Sequence, residues 1–199
     1  MAVSWTRHRF SGGALALDTT NTVVLRGDVE RSFDRFADPA EIARFAAAAS
    51  SFRADELKGR ALAAPDPHAI AGTVMAIRET TDRLMRRNIV DGVLDTADLP
   101  DFLNACADGL AGSRESLGAA APFGSAPEPL AFEAALAVSA LSLLSASTMS
   151  RLRICPNCNW LFVDRSRNGS RLWCDMAVCG NRQKAKRHYS RRKEEVANG

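Results

Sequence analysis

The sequence has no apolar run free enough of polar groups to span a bilayer. Its longest candidate, Leu130 to Met149, contains Glu133 and four serines and leads directly into Arg151 and Arg153, whereas a spanning helix needs about 20 predominantly apolar residues. A secretory leader is missing as well, because the short apolar patch from Gly12 to Leu17 stops at Asp18. Histidine is scarce, at three residues, and no Ser/His/Asp set, phosphate-cradling glycine loop or pair of catalytic carboxylates stands out. These absences predict a cytoplasmic protein that is neither membrane-bound nor an enzyme. Aromatic residues make up only 7% of the chain, with Tyr189 the single tyrosine. Tyr189 and Trp173 do not make up the aromatic stacking platform that holds single-stranded RNA, which disfavours that partner. Neither an internal repeat nor a low-complexity tract is visible.

What the chain does have is an ordinary globular composition in 199 residues, 46% hydrophobic and 25% charged. Such a chain is long enough for a buried core, as one domain or one domain plus a small module. Its net charge of +3 conceals a split. Residues 1–150 carry 14 Lys and Arg against 19 Asp and Glu, while residues 151–199 carry 12 against 4. Four of the five cysteines also lie in the basic part, with Cys106 apart from them. A cationic end on a mildly acidic body is the layout of a polyanion-binding module attached to a carrier or sensor.

The body reads as mostly helical. Asp38-Pro39-Ala40-Glu41 has the composition of a capping box, with proline at the first helical position and an apolar stripe of Ile42, Phe45 and Ala46 behind it. A second helix is expected over Ala54–Leu62. A long one follows Pro67, burying Ile70, Val74, Ile77, Thr81 and Leu84, keeping Arg78, Asp82, Arg86 and Arg87 mostly off that face, and ending at Asp91-Gly92. Leu99, Phe102, Leu103 and Cys106 mark a shorter helix. Residues 111–129, rich in Gly, Ala, Ser and Pro, predict irregular chain or a weak hairpin. Leu130–Met149 suits a single central helix buried by its neighbours.

The basic part is organised by its cysteines. Cys155-Pro156-Asn157-Cys158 is followed by fifteen residues and then by Cys174 and Cys179. Two paired thiol clusters are what a tetrahedral zinc ion requires, and a reducing compartment argues against disulfides. An iron–sulfur cluster shares the ligand type, though the compact layout favours zinc. Leu161-Phe162-Val163 and Arg171-Leu172-Trp173 are strand-like, and Arg167-Asn168-Gly169-Ser170 between them predicts a hairpin turn. The wider second gap implies a longer turn there. One structural zinc per chain is expected, on Cys155, Cys158, Cys174 and Cys179, contributing on the order of 10 kcal/mol of folding energy in comparable peptides.

Beyond Cys179 the pattern predicts a basic helix, with Ala185 and Tyr189 packing back on the finger. Lys184, Lys186, Arg187, His188, Arg191 and Arg192 are candidate contacts to phosphates, whose counterions they would release. Asn181, Arg182 and Gln183 at its start have the chemistry to read base edges, and Arg167 and Arg171 on the hairpin extend the cationic surface. A solvated tail, or one binding acidic protein or anionic lipid, is the alternative for a bare basic run. Fixation to a metal site favours nucleic acid.

The segment from Cys155 to Arg192, with Cys-Gly-Asn-Arg at 179–182, resembles the CGNR zinc finger, a bacterial domain regarded as DNA-binding. The likeness includes Phe162, Asp164, Ser166-Arg167-Asn168 and Trp173-Cys174. Leu172 departs from it, standing where a second arginine is often found. The body, through Gly13-Ala14-Leu15-Ala16-Leu17-Asp18-Thr19-Thr20-Asn21-Thr22, resembles the ABATE domain of stress-induced transcription regulators. These resemblances imply a bacterial transcription regulator.

A helix over Leu15–Val24 would place Asp18, Asn21 and Thr22 on one face. They either brace the domain by internal hydrogen bonds or, with Arg26, line a pocket for a small-molecule inducer. The architecture expected is a mainly α N-terminal domain (residues 1–150) plus a small α+β C-terminal zinc finger (residues 151–199) of knuckle, β-hairpin and basic helix. The finger would bind duplex DNA while the body senses a ligand or pairs two chains as a homodimer. An RNA- or ribosome-associated module and a metal-stapled protein–protein adaptor are the alternatives.

Overall fold

The computed structural model describes residues 2–113, 128–186 and 189–190. The N-terminal segment makes one 3-10 turn (Arg7–Phe10) and enters helix α1 (Leu15–Thr20). The helix expected to reach Val24 ends early, because Val23–Val24 forms strand β1 against β2 (Phe33–Asp34) in an antiparallel ribbon. Helix α2 (Ala40–Phe52) follows. Asp38 does accept a bond from the Ala40 N–H (2.9 Å), but Glu41 completes no capping box. Its carboxylate turns to the N-terminal segment, accepting from the Val3 N–H and the Trp5 indole, each at 3.0 Å.

Helix α3 (Ala54–Leu57) is shorter than the stretch predicted to Leu62. Lys58 and Gly59 both adopt positive φ, +54° and +78°, which stops the helix and releases Leu62–Ala63 to form β3. Helix α4 (Pro67–Asp91) matches its signals. Asp66 caps the Ala69 N–H at 3.0 Å, Pro67 sits in the first turn, and Gly92 closes the C-terminus at φ +73°. Arg78 and Asp82, expected off the buried face, are buried. Arg78 is offset by a bidentate pair with Asp34 (2.8 and 2.7 Å) and a bond to the Thr22 hydroxyl. Helix α5 (Leu99–Leu110) buries Phe102 and Cys106 but leaves Leu103 exposed.

Most of the stretch predicted to be irregular, 111–129, falls outside the described residues. Beyond it, β4 (Leu130–Ala131) pairs in parallel with β3. The single helix expected over Leu130–Met149 is therefore divided. Its first residues are strand, α6 (Phe132–Ser142) is buried nearly all round, and the chain turns through 143–145 before α7 (Ala146–Met149), which buries nothing. The Ser142 hydroxyl bonds the Ser139 carbonyl at 2.7 Å and that of Ser145 bonds the Thr148 hydroxyl at 2.8 Å. Both are local bonds of the kind that compete with helix continuation.

Helices α1, α4, α5 and α6 pack together as the body, with Phe36, Phe45 and Phe132 fully buried among them. Burying such a side chain stabilises by roughly 1.5–3 kcal/mol. Strands β5 (Leu152–Ile154) and β6 (Leu161–Val163) form an antiparallel pair laid against this body. Alternation along the pair divides its side chains. Leu152, Leu161 and Val163 belong to the body's core, whereas Trp160 and Phe162 join Cys155, Cys174 and Cys179 in a second one. Packing thus runs across the change of charge at 150/151.

The predicted pairing of 161–163 with 171–173 is not formed. One edge of β6 is taken by β5. The other is occupied by Asn21, whose amide exchanges two 2.9 Å bonds with the Leu161 backbone, and by Gly12, whose carbonyl accepts from the Val163 N–H at 2.8 Å. No edge remains for a third strand. The Asn168-Gly169 turn is present, with Gly169 at φ +61°, but it closes a loop.

Candidate metal centre and nucleic-acid face

The first cysteine pair sits at the tip of the β5–β6 hairpin. The Cys155 N–H donates to the Trp160 carbonyl and the Asn159 N–H to the Cys155 carbonyl, both at 2.8 Å. Asn159 takes the left-handed conformation, φ +61°, that closes this knuckle. Arg86 reaches from α4 to the Asn159 side chain (3.0 Å), fixing the knuckle to the body.

The second pair is delivered by the loop after β6. Asp164, fully buried, accepts from the Ser166 and Arg171 N–H groups, each at 2.8 Å. Hydrogen bonds from Ser166 lead in holding its carboxyl below the usual aspartate range. Arg171 then points inward. Its guanidinium lies over the Phe162 ring, 5.2 Å from the centroid, and donates to the carbonyls of Trp173 (2.8 Å) and Cys174. Cys179 sits within a π-helical turn (Met176–Gly180) that Asp175 caps through the Ala177 and Val178 N–H groups. The wider turn accounts for four residues between Cys174 and Cys179 rather than two. Burial opposes ionisation of Asp175, but His8 (2.9 Å) and those two N–H groups hold its carboxyl low. His8 also stacks on Trp160 at 5.2 Å, so the N-terminal turn grips the finger.

These elements converge four sulfurs within 4.8 Å of one another. The Cys158–Cys174 and Cys174–Cys179 separations are 3.5 and 3.7 Å. A disulfide would need about 2.0 Å. The edges of a tetrahedron around a metal with bonds of about 2.3 Å to sulfur are about 3.8 Å. Cys155, Cys174 and Cys179 are buried and Cys158 is half-buried. Crowding sets the thiols against one another: hydrogen bonds from Cys158 and Cys174 pull Cys155 down, while the contact with Cys155 pushes Cys158 and Cys174 up. A cation at the centre would remove that conflict, since it favours thiolate at every ligand. The donor set is closed, all sulfur, and suited to a structural role.

Residues 181–186 and 189–190 are helical. Arg182, Lys184 and Lys186 are exposed there, and Arg167 is exposed on the loop. Asn181 donates to the Ala177 carbonyl (2.9 Å), and the Gln183 amide donates to the Asn157 side chain (3.1 Å), tying the helix to the knuckle. Arg171, expected on the outer surface, is committed to the backbone around Cys174. Ala185 and Tyr189, expected to pack back on the finger, are both exposed. The candidates Arg187, His188, Arg191 and Arg192 lie outside the described residues.

The four candidate pocket residues face inward. Asp18 accepts from the Gly12 N–H (2.8 Å) and pairs with Arg53. Burial pushes its carboxyl up to about 6 against the pull of Arg53. Asn21 holds β6, Thr22 bonds the Thr19 carbonyl (2.8 Å), and Arg26 pairs with Glu79 (2.5 Å) and Asp82 (3.4 Å). His8, Trp160 and Arg165, which donates to the Gly13 carbonyl at 2.7 Å, also belong to this region, although nothing in the sequence marks them. Only the distance-spanning contacts just described connect them, and no local pattern marks such contacts.

Among the described residues no helix is long and apolar enough to cross a membrane. Neither a curated protein nor a solved structure matches the chain. No finding supports the resemblance of the body to the ABATE domain. Residues 151–192, the segment that builds the four-sulfur cluster and the cationic helix beyond it, match the family model of the CGNR zinc finger.

Proposed function

We propose that the chain is a bacterial transcription regulator whose finger, held by one structural zinc ion, binds duplex DNA. One observation carries this reading. Arg182, Lys184 and Lys186 stand exposed on a helix that leaves the four-sulfur cluster, while Asn181 and Gln183 beside them are spent on fastening it. Charges on a fastened helix have a defined geometry, which is what phosphate positioning needs. Arg167 adds a cation from the neighbouring loop, and Arg187, His188, Arg191 and Arg192 continue the basic pattern in the sequence. Arg171 has a different role, bracing the Cys174 segment. A single small finger offers little area for specific contact, so pairing of two chains through the body belongs to the same reading. The protein works by binding rather than catalysis.

The test is fluorescence anisotropy of the zinc-loaded protein on duplex DNA across a salt series. Engagement of four to six phosphates predicts a log–log slope of roughly −4 to −5. Neutralising Arg182, Lys184 or Lys186 singly lowers the slope by about one. Cys174→Ser abolishes binding. Flat or absent binding by the metal-loaded protein, or equal competition by structured RNA at matched phosphate, overturns the reading.

A further inference from the structure

A cleft of about 920 Å³ opens between body and finger, within the range of about 300–1,000 Å³ common to small-molecule sites. Phe52 and Val138 supply apolar surface on the body side, and the finger contributes Asp175 to Ala177 opposite. Phe52 stacks on Phe10 (centroids 4.7 Å apart) yet remains 40% exposed, an apolar surface with an uncovered face.

The charged groups of the cleft fall into two sets. Arg53 is paired with Asp18, Arg171 holds the Cys174 backbone, Asp175 is bonded to His8, and Glu56 accepts from the Ser139 hydroxyl (2.6 Å) and the Leu15 N–H (2.9 Å). The second set, Arg7, Lys58 and Arg165, makes no close ion pair among the described residues, and Arg165 uses one N–H on the Gly13 carbonyl at 2.7 Å. Of the lining carboxylates, Asp55 makes no ion pair among those residues and Glu56 draws on Arg53 and Arg165, so that five Arg and Lys side chains face three Asp and Glu. Lys58 is held at a positive φ that glycine would adopt without strain, and it is exposed in the turn between α3 and β3.

We propose that this cleft binds a small organic anion, with Lys58 and Arg165 on its acidic group and Phe52 and Val138 against its apolar body. Lys58 belongs to the body and Arg165 to the finger, so the ligand would bridge the two and bias how the finger is held. That consequence rests on the regulator reading, whereas the binding itself does not.

Naphthoate, an aryl carboxylate, is a suitable probe, titrated calorimetrically into the full-length, zinc-loaded protein without DNA. Saturable binding is expected, with the neutral naphthamide weaker by about tenfold, the scale of charge-assisted bonds. The paired substitution Lys58→Gln with Arg165→Gln weakens naphthoate to a similar degree. Lys184→Gln, which removes the same charge from the finger helix, leaves it unchanged. Ser142→Trp, placed on an exposed lining residue, fills the cleft and abolishes binding while thermal unfolding stays near that of the parent. No saturable binding of naphthoate, or binding indifferent to both the charge and the filling substitutions, overturns the proposal. Failure of DNA binding would remove the regulator reading and leave this titration unaffected.

Discussion

Asn21 both donates to and accepts from the backbone of Leu161, so one side chain satisfies a strand edge that would otherwise be buried with open hydrogen-bonding groups. Asp18 does comparable work at the Gly12 N–H and Arg53, but as an acid it carries a pH dependence. Its folded pKa, about 6, lies above the ordinary aspartate value of 3.8. Between these values the native state keeps a proton that the unfolded chain has lost, so stability falls as pH rises through that window. The zinc-loaded protein should therefore lose on the order of 2 kcal/mol relative to Asp18→Asn between about pH 4 and 7, with the loss levelling off above the folded pKa. Urea unfolding of the two proteins side by side measures the difference, in which metal effects cancel. A constant difference across that range would show that Asp18 titrates normally.

At the scale of elements, the close approach of three helices depends on an absence of side chain. A Cβ on Gly109 of α5 would come within 2.7 Å of the Ile77 side chain on α4 and 3.0 Å of the Glu133 carbonyl on α6. Backbone on one side leaves little room to yield. Gly109→Ala should destabilise by about 1–3 kcal/mol through overpacking, even though alanine favours a helix more than glycine does. Chemical denaturation reads this directly, and a stabilised variant would mean that the helices shift freely. Signals within single elements were legible in the sequence: Asp66-Pro67 and Gly92 bounded α4 as expected. Breaks set by neighbours were not. Leu130–Ala131 left the helical run because β3 offered a partner, and 171–173 stayed out of the sheet because Asn21 and Gly12 already held its edge.

For the whole molecule, the β5–β6 pair is the joint. Its inner side chains are part of the body's core and its outer ones part of the core around the sulfurs. Isolated fingers depend on metal for on the order of 10 kcal/mol of folding energy, but here half of the hairpin is held without it. Stripping the metal with a strong chelator should disorder the outer half while the helices of the body persist. Near-UV circular dichroism from Trp160 and Trp173 is expected to collapse, with most far-UV helical signal retained. Loss of both signals in one step would mean that the two cores fold as a single unit. Such coupling through one small sheet also gives a ligand in the cleft a route to the finger, since Arg165 and Lys58 flank it from the two sides.

The sequence by itself determined the four metal-binding thiols, the charge split, the mainly helical body and the bounds of α4. Each is written in local spacing or composition, and the physics behind it acts within a few residues. Tertiary structure alone decided which strand paired with which, that Arg171 turned inward as a brace, and that Asp18, Asn21 and Arg26 found their partners in Arg53, Leu161 and Glu79. It also decided that a cleft would form where Lys58 and Arg165, over a hundred residues apart in the chain, come to face one space. Those outcomes depend on competition for buried hydrogen-bonding groups and on which surfaces meet, and no single segment contains both competitors.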